Sequence, residues 1–205
     1  MNEMHKIIDC IMSISGRYHP TNVFQDWVEM SAMSISNAVI YDETREKQFI
    51  NIKNKYTNDE VIKFSEMLGM LTVLFEQNID DYLGKIYMQL EASSKQTGQF
   101  FTPFHICEMM ARFCKEKMYL EEPSCGSSGN ILAYAKVLKD KGINYQNELL
   151  VTAQDLDYKC VYMSYVQLSL TGVDAVVRQC DALTGKVNIK LYTPVHVMNI
   201  KEIKE

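Results

Sequence analysis

Over the first ninety residues, apolar positions recur every three or four places, the period of helices with one buried face. Between Asn22 and Ile40 they fall at Val23, Trp27, Val28, Ile35 and Val39. The run Thr57-Asn58-Asp59-Glu60 has the form of a capping box, with Thr57 as N-cap and Glu60 at N3. The helix it opens carries Val61, Ile62, Phe64, Met67, Leu68, Leu71, Leu74 and Phe75 on a broad apolar face. A polar stretch, EASSKQTGQ at 91–99, reads as a linker.

Beyond it the pattern changes. TPFHICEMMARFCKEK predicts a helix with Thr102 as N-cap and Pro103 at N1, burying Ile106, Met109, Met110, Phe113 and Cys114. A short strand is expected at 118–122, then a helix over 130–140 with Gly142 at C′. Residues 148–154 read as a strand, Asp157 to Leu170 as a helix stopped by Gly172, and 174–180 as a third strand. VNIKLY at 187–192 reads as an edge strand or a covering segment. Alternating strands and helices imply an α/β fold with right-handed crossovers and a parallel sheet. The division expected is a helical domain over 1–95 and an α/β domain over 96–205.

Composition narrows the function. The chain has 205 residues, 47% of them hydrophobic, and a net charge of −5. That is enough apolar material for a core, and the wrong sign for tight unaided DNA binding. Six cysteines at 10, 107, 114, 125, 160 and 180 include no CxxC pair and no zinc-finger spacing. With no export signal and no run of 18 apolar residues, a cytoplasmic protein with reduced thiols and no membrane contact is expected.

The candidate chemistry lies in Leu120 to Asn130, LEEPSCGSSGN. In an open parallel sheet, ligands bind beyond the carboxyl ends of the strands. Glycines there let a ligand approach the backbone, and the next helix start points N–H groups outward. A phosphate cradle would carry a lysine; here Glu121 and Glu122 stand at the rim instead. The ligand should be neutral or cationic where it meets the loop. S-adenosylmethionine, with an ammonium, a sulfonium and ribose hydroxyls, has that character. Acids recur at the next strand ends, Asp155 and Asp157 in QDLD and Asp181 in CDAL.

GQFFTP (98–103), EPSCGSSGN (122–130), QDLD (154–157) and CDAL (180–183) together resemble the gamma-class adenine-N6 DNA methyltransferases, above all the modification subunit of type I restriction systems. The resemblance implies a Rossmann-like S-adenosylmethionine-binding sheet behind a helical domain. It implies that Gln99, Phe100, Phe101, Thr102, Pro103 and Phe104 wrap the cofactor. Glu122 would bind its ammonium, with Pro123, Ser124, Gly126, Ser127, Ser128 and Gly129 lining the methionine side. Asp155 would take the ribose hydroxyls. Asp181, with Ala182 beside it, would meet the adenine amino group. DNA would be reached through a specificity subunit or another partner chain.

In that family the chemistry sits in an [N/D]-P-P-[Y/F] tetrapeptide that holds a flipped adenine. The sequence after Asp181 has no Pro-Pro pair, and Thr193-Pro194-Val195 offers neither the second proline nor a stacking ring. No catalytic residue is therefore assigned. Only three or four strands fit in the chain, so the sheet is expected to be incomplete. An incomplete sheet exposes an apolar edge and favours self-association or capture of a partner. Two readings follow: an adenine methyltransferase by descent, either a trimmed piece or one chain of a split enzyme, or a catalytically silent S-adenosylmethionine-binding or assembly module that works through partners.

Overall fold

The computed structural model of the chain describes residues 3–92 and 100–202. Five helices come first: α1 (Glu3–Ile14), α2 (Pro20–Val39), α3 (Glu43–Lys53), α4 (Asn58–Gln77) and α5 (Tyr82–Ala92). After the stretch 93–99 come α6 (Phe104–Phe113), β1 (Tyr119–Glu122), α7 (Gly129–Asp140), α8 (Tyr145–Glu148) and β2 (Leu150–Asp155). The chain continues through α9 (Tyr158–Leu170), β3 (Asp174–Cys180), β4 (Val187–Tyr192) and α10 (Pro194–Glu202). The fold is mixed α/β, compatible with that of a methyltransferase.

The capping box forms as its sequence dictates. Thr57 accepts from the Glu60 N–H, and Glu60 accepts from the Thr57 N–H at 2.7 Å. α4 buries Phe64, Met67, Leu71, Leu74 and Phe75, whereas Ile62 stands on its solvent side. Trp27 is buried, and its Nε1 donates to the Phe64 carbonyl, joining α2 to α4.

The four strands lie in the order β1-β2-β3-β4. β1, β2 and β3 are parallel, and β4 is an antiparallel edge strand, which decides how VNIKLY is used. Register puts Val151, Ala153, Ala175, Val177 and Leu191 on one buried face, against which α9 packs. α2 packs in turn on α9, and one continuous apolar core runs from Ile7 to Leu191. At the amino end of β3, His196 and Asn199 of α10 both bond the Asp174 carboxylate.

The opposite sheet face is partly open. Parallel sheets are usually covered on both sides, yet Tyr119 and Leu150 are 52% and 40% exposed. Among the described residues β1 is an edge strand with a neighbour on one side only.

Three details differ from the sequence reading. α6 starts one residue later, with Pro103 rather than Thr102 at the N-cap. It buries Phe104, Cys107 and Ala111 against α7, leaving Met109, Met110, Phe113 and Cys114 exposed and Ile106 half-buried. Periodicity gives the width of an apolar stripe but not which side meets a neighbour, and among the described residues nothing covers the Met110–Phe113 side. β2 starts at Leu150 because Asn144 caps the single turn α8 before it. Most of the linker at 91–99 lies outside the described residues, and the described helices are too short or too polar to cross a membrane.

Candidate functional site

The glycine loop lies where the carboxyl ends of β1 and β2 meet. The Cys125 N–H donates to the Gln154 carbonyl at 2.8 Å, and the Gly126 N–H donates to Asp155 Oδ2 at 2.9 Å. Both bonds tie the loop across to the neighbouring strand. Gly126 has φ +53°, and a β-carbon there would stand 3.1 Å from the Phe101 ring. Phe101 is itself packed against Tyr87, with ring centroids 5.6 Å apart. The loop thus rests on an aromatic pair that spans α5 and the FFTP segment.

Ser128 takes the left-handed conformation, φ 77°, unusual for a residue with a side chain. Its hydroxyl pairs with that of Ser164 in α9 instead of capping α7. The first N–H groups of α7 are left without a side-chain cap beside the loop. A helix start of this kind carries partial positive charge.

Beside the loop opens a cleft of about 240 Å³. Phe100, Phe101, Thr102, Ser124, Gly126, Ser127, Gly129 and Asp155 line it, so eight of the sequence-derived residues converge. Among the described residues, the other seven do not line it. Pro103 and Phe104 border an adjoining recess, where the ammonium groups of Lys85 and Lys136 lie over the Phe104 ring. Pro123 is exposed, and Ser128 is buried beneath the loop. Glu122 faces an adjoining apolar groove between α6, α7 and β1, which shares Cys107 and Asn130 with the cleft; its carboxylate is 3.5 Å from Asn130 Nδ2. Asp181, with Ala182, forms a turn after β3; its carboxylate accepts from the Leu183 and Thr184 N–H groups, which hold it below the usual carboxylate range. Gln99 lies outside the described residues.

The cleft also contains residues that motif reading passed over. Asp81, at the start of α5, is 3% exposed and forms part of the wall, as do Cys107, Cys125 and Asn130. Asp81 Oδ1 accepts from the Gly84 N–H and from Gln167 Nε2, each at 2.9 Å, and Oδ2 accepts from Ser127 Oγ at 2.6 Å. Gln167 also donates to the Ser127 carbonyl and accepts from the Leu83 N–H. Burial raises the Asp81 pKa, and these hydrogen bonds oppose the rise. No sequence motif marks Asp81; only the fold brings it to the loop. Burial, followed by the Asp155 charge, pushes the Cys125 thiol up to about 12, so it is no thiolate nucleophile.

No lysine, arginine or histidine lines the cleft among the described residues, and two carboxylates do. The electrostatic character is therefore acidic with one positive pole at the α7 start. Such a surface repels phosphate and suits a ligand carrying hydroxyls and a cation.

Against this geometry, the profile of the N-6 DNA methylase family matches residues 78–199, from just before Asp81 to α10. The chain belongs to that family. No curated protein and no solved structure matches it.

Proposed function

We propose that the chain is the S-adenosylmethionine-binding part of a DNA adenine-N6 methylating system of the restriction-modification kind. The observation that carries this reading is Asp155. It ends β2 on the cleft wall, tied to the glycine loop through the Gly126 N–H, and among the described residues no basic side chain lines that wall. A carboxylate there suits the paired hydroxyls of a ribose. The uncapped start of α7 suits a carboxylate, and Phe100 and Phe101 supply apolar wall. The donor set therefore fits S-adenosylmethionine, which when bound supplies an activated methyl group. The chain's own residues bind and orient it and exclude phosphate-bearing competitors.

Transfer to adenine needs a group that accepts the hydrogen bonds of the flipped base's amino nitrogen. The chain's sequence has no Pro-Pro pair to form the family's tetrapeptide. This supports a reading in which that element comes from outside these residues, whether from further sequence of the same protein or from a partner chain, and the DNA contacts come from a specificity subunit; a net charge of −5 agrees with such dependence. The unpaired β1 edge, with Met110 and Phe113 exposed on α6, supports partner capture or self-association as well. The same edge favours a second reading, an assembly module that binds the cofactor without chemistry.

Methyl transfer from labelled S-adenosylmethionine to DNA tests both. The chain alone is expected to give none. Incorporation by the purified chain would overturn the dependence on a partner. Failure of any Pro-Pro-Tyr- or Pro-Pro-Phe-bearing partner encoded beside it to restore transfer would favour the silent module.

A further inference from the structure

The cleft has a negative pole that the motif comparison does not assign. We propose that Asp81, from the helical half of the chain, is the carboxylate that holds the ammonium group of the bound amino-acid moiety, in place of Glu122. This rests on the S-adenosylmethionine reading and names one of its contacts.

Three observations carry it. The first is the company Asp81 keeps. Its three donors, Gly84, Ser127 and Gln167, are all neutral, and among the described residues no ion pair reaches this buried carboxylate; Lys85 and Lys136, which border the adjoining recess with it, are paired with Asp80 and Glu108. An ionised group removed from water without a counter-charge is costly, and a ligand ammonium would supply that charge. The second is its neighbour. Gly129, the first residue of α7, lies beside Asp81; a β-carbon there would stand 3.3 Å from Asp81 Oδ2 and 3.6 Å from Cys107 Sγ. Glycine keeps open the space between the acid and the uncapped helix start. A carboxylate beside free helix N–H groups is the complement of a zwitterion, with ammonium on one and carboxylate on the other. The third is Glu122, which is half-exposed, lies outside the cleft and borders the groove behind Asn130. A carboxylate open to water attracts a cation weakly compared with a buried one.

The other ionisable groups near Asp81 do not replace it. Asp80 is paired with Lys85, and Cys107, on α6, is a thiol pushed up to about 11 by burial. Asp155 lies elsewhere on the cleft wall and binds the loop.

Calorimetric titration of the full chain with S-adenosylmethionine and with 5′-methylthioadenosine, which lacks the amino-acid portion, tests the proposal. Asp81→Asn should weaken S-adenosylmethionine tenfold or more and leave 5′-methylthioadenosine within twofold. Glu122→Gln should leave both within twofold. Equal weakening of both ligands by Asp81→Asn would show a purely structural role, and selective weakening by Glu122→Gln would return the ammonium to that residue; either overturns the proposal. Should Asp81→Asn fail to fold, carbon-13 NMR of the wild-type carboxyls gives the answer. The Asp81 pKa should fall on adding S-adenosylmethionine but not 5′-methylthioadenosine, and an unmoved pKa would overturn the assignment. A wild-type chain that binds neither nucleoside would sink the cofactor reading itself.

Discussion

Ser127 and Asp81 are 46 positions apart in the chain and 2.6 Å apart at the cleft wall. That bond joins the start of a helix in the first half to the glycine loop of the second. The junction is tight. A β-carbon on Gly84 would collide with Asp81 Oδ2 and stand 2.6 Å from Ser127 Oγ. Gly84→Ala should therefore lower stability by about 1–3 kcal/mol, as overpacking does. Gly69→Ala, in α4 with nothing within 4 Å of the new carbon, should raise it by about 0.5–1 kcal/mol. Urea unfolding of the two variants checks the contrast, and equal effects would mean that the junction is loose.

In the proposed reading Asp155 serves the nucleoside end. Asp155→Ala removes both the ribose acceptor and the anchor of the Gly126 N–H. It should weaken S-adenosylmethionine and 5′-methylthioadenosine alike, by about tenfold, roughly 1.4 kcal/mol. A change confined to S-adenosylmethionine would place Asp155 at the amino-acid end instead.

The α4 capping box predicts a dependence on pH. The Thr57 N–H, then its hydroxyl and Arg17, hold Glu60 below its ordinary value of 4.5. A lowered folded-state pKa contributes stability that is present above 4.5 and lost as pH falls through the folded value. Glu60→Gln should flatten that part of the acid limb. Thr57→Ala should cost about 1 kcal/mol at pH 7. Thermal melts between pH 3 and 7 report both.

The exposed side of α6 predicts association. Met110→Lys with Phe113→Lys removes apolar surface from the exposed side of the helix, where Phe113 is 83% exposed and Met110 lies at the rim of a groove, so the melting temperature should change little. Sedimentation velocity should show concentration-dependent assembly in the wild type, diminished in the variant. A wild type that stays monomeric at high concentration would leave this face for a different chain.

Much of this was legible in the residues. The capping box, the strand at 174–180 and the helices stopped by Gly142 and Gly172 follow from local chemistry, and those two glycines take φ +76° and +72°. The loop motif located the cleft because glycines and an N-terminal helix turn act over a few residues. Three features were out of reach of local rules. The buried side of α6 depends on where α7 lies. Asp81 belongs to no motif, and only tertiary contact brings it against Ser127. Glu122 and Asp181 lie at strand ends, as their spacing implies, but the turn at Leu183 holds one and the groove beside Asn130 takes the other, so neither lines the cleft. Strand-end position fixes a residue's height on the sheet, not the direction of its side chain.

The central claim is an acidic, phosphate-excluding cleft for a sulfonium nucleoside. Titration of the chain with S-adenosylmethionine by calorimetry, repeated with excess S-adenosylhomocysteine and then with excess ATP, tests it most directly. Binding at one site per chain, abolished by S-adenosylhomocysteine and untouched by ATP, is the result expected. No binding, or displacement by ATP, would contradict it.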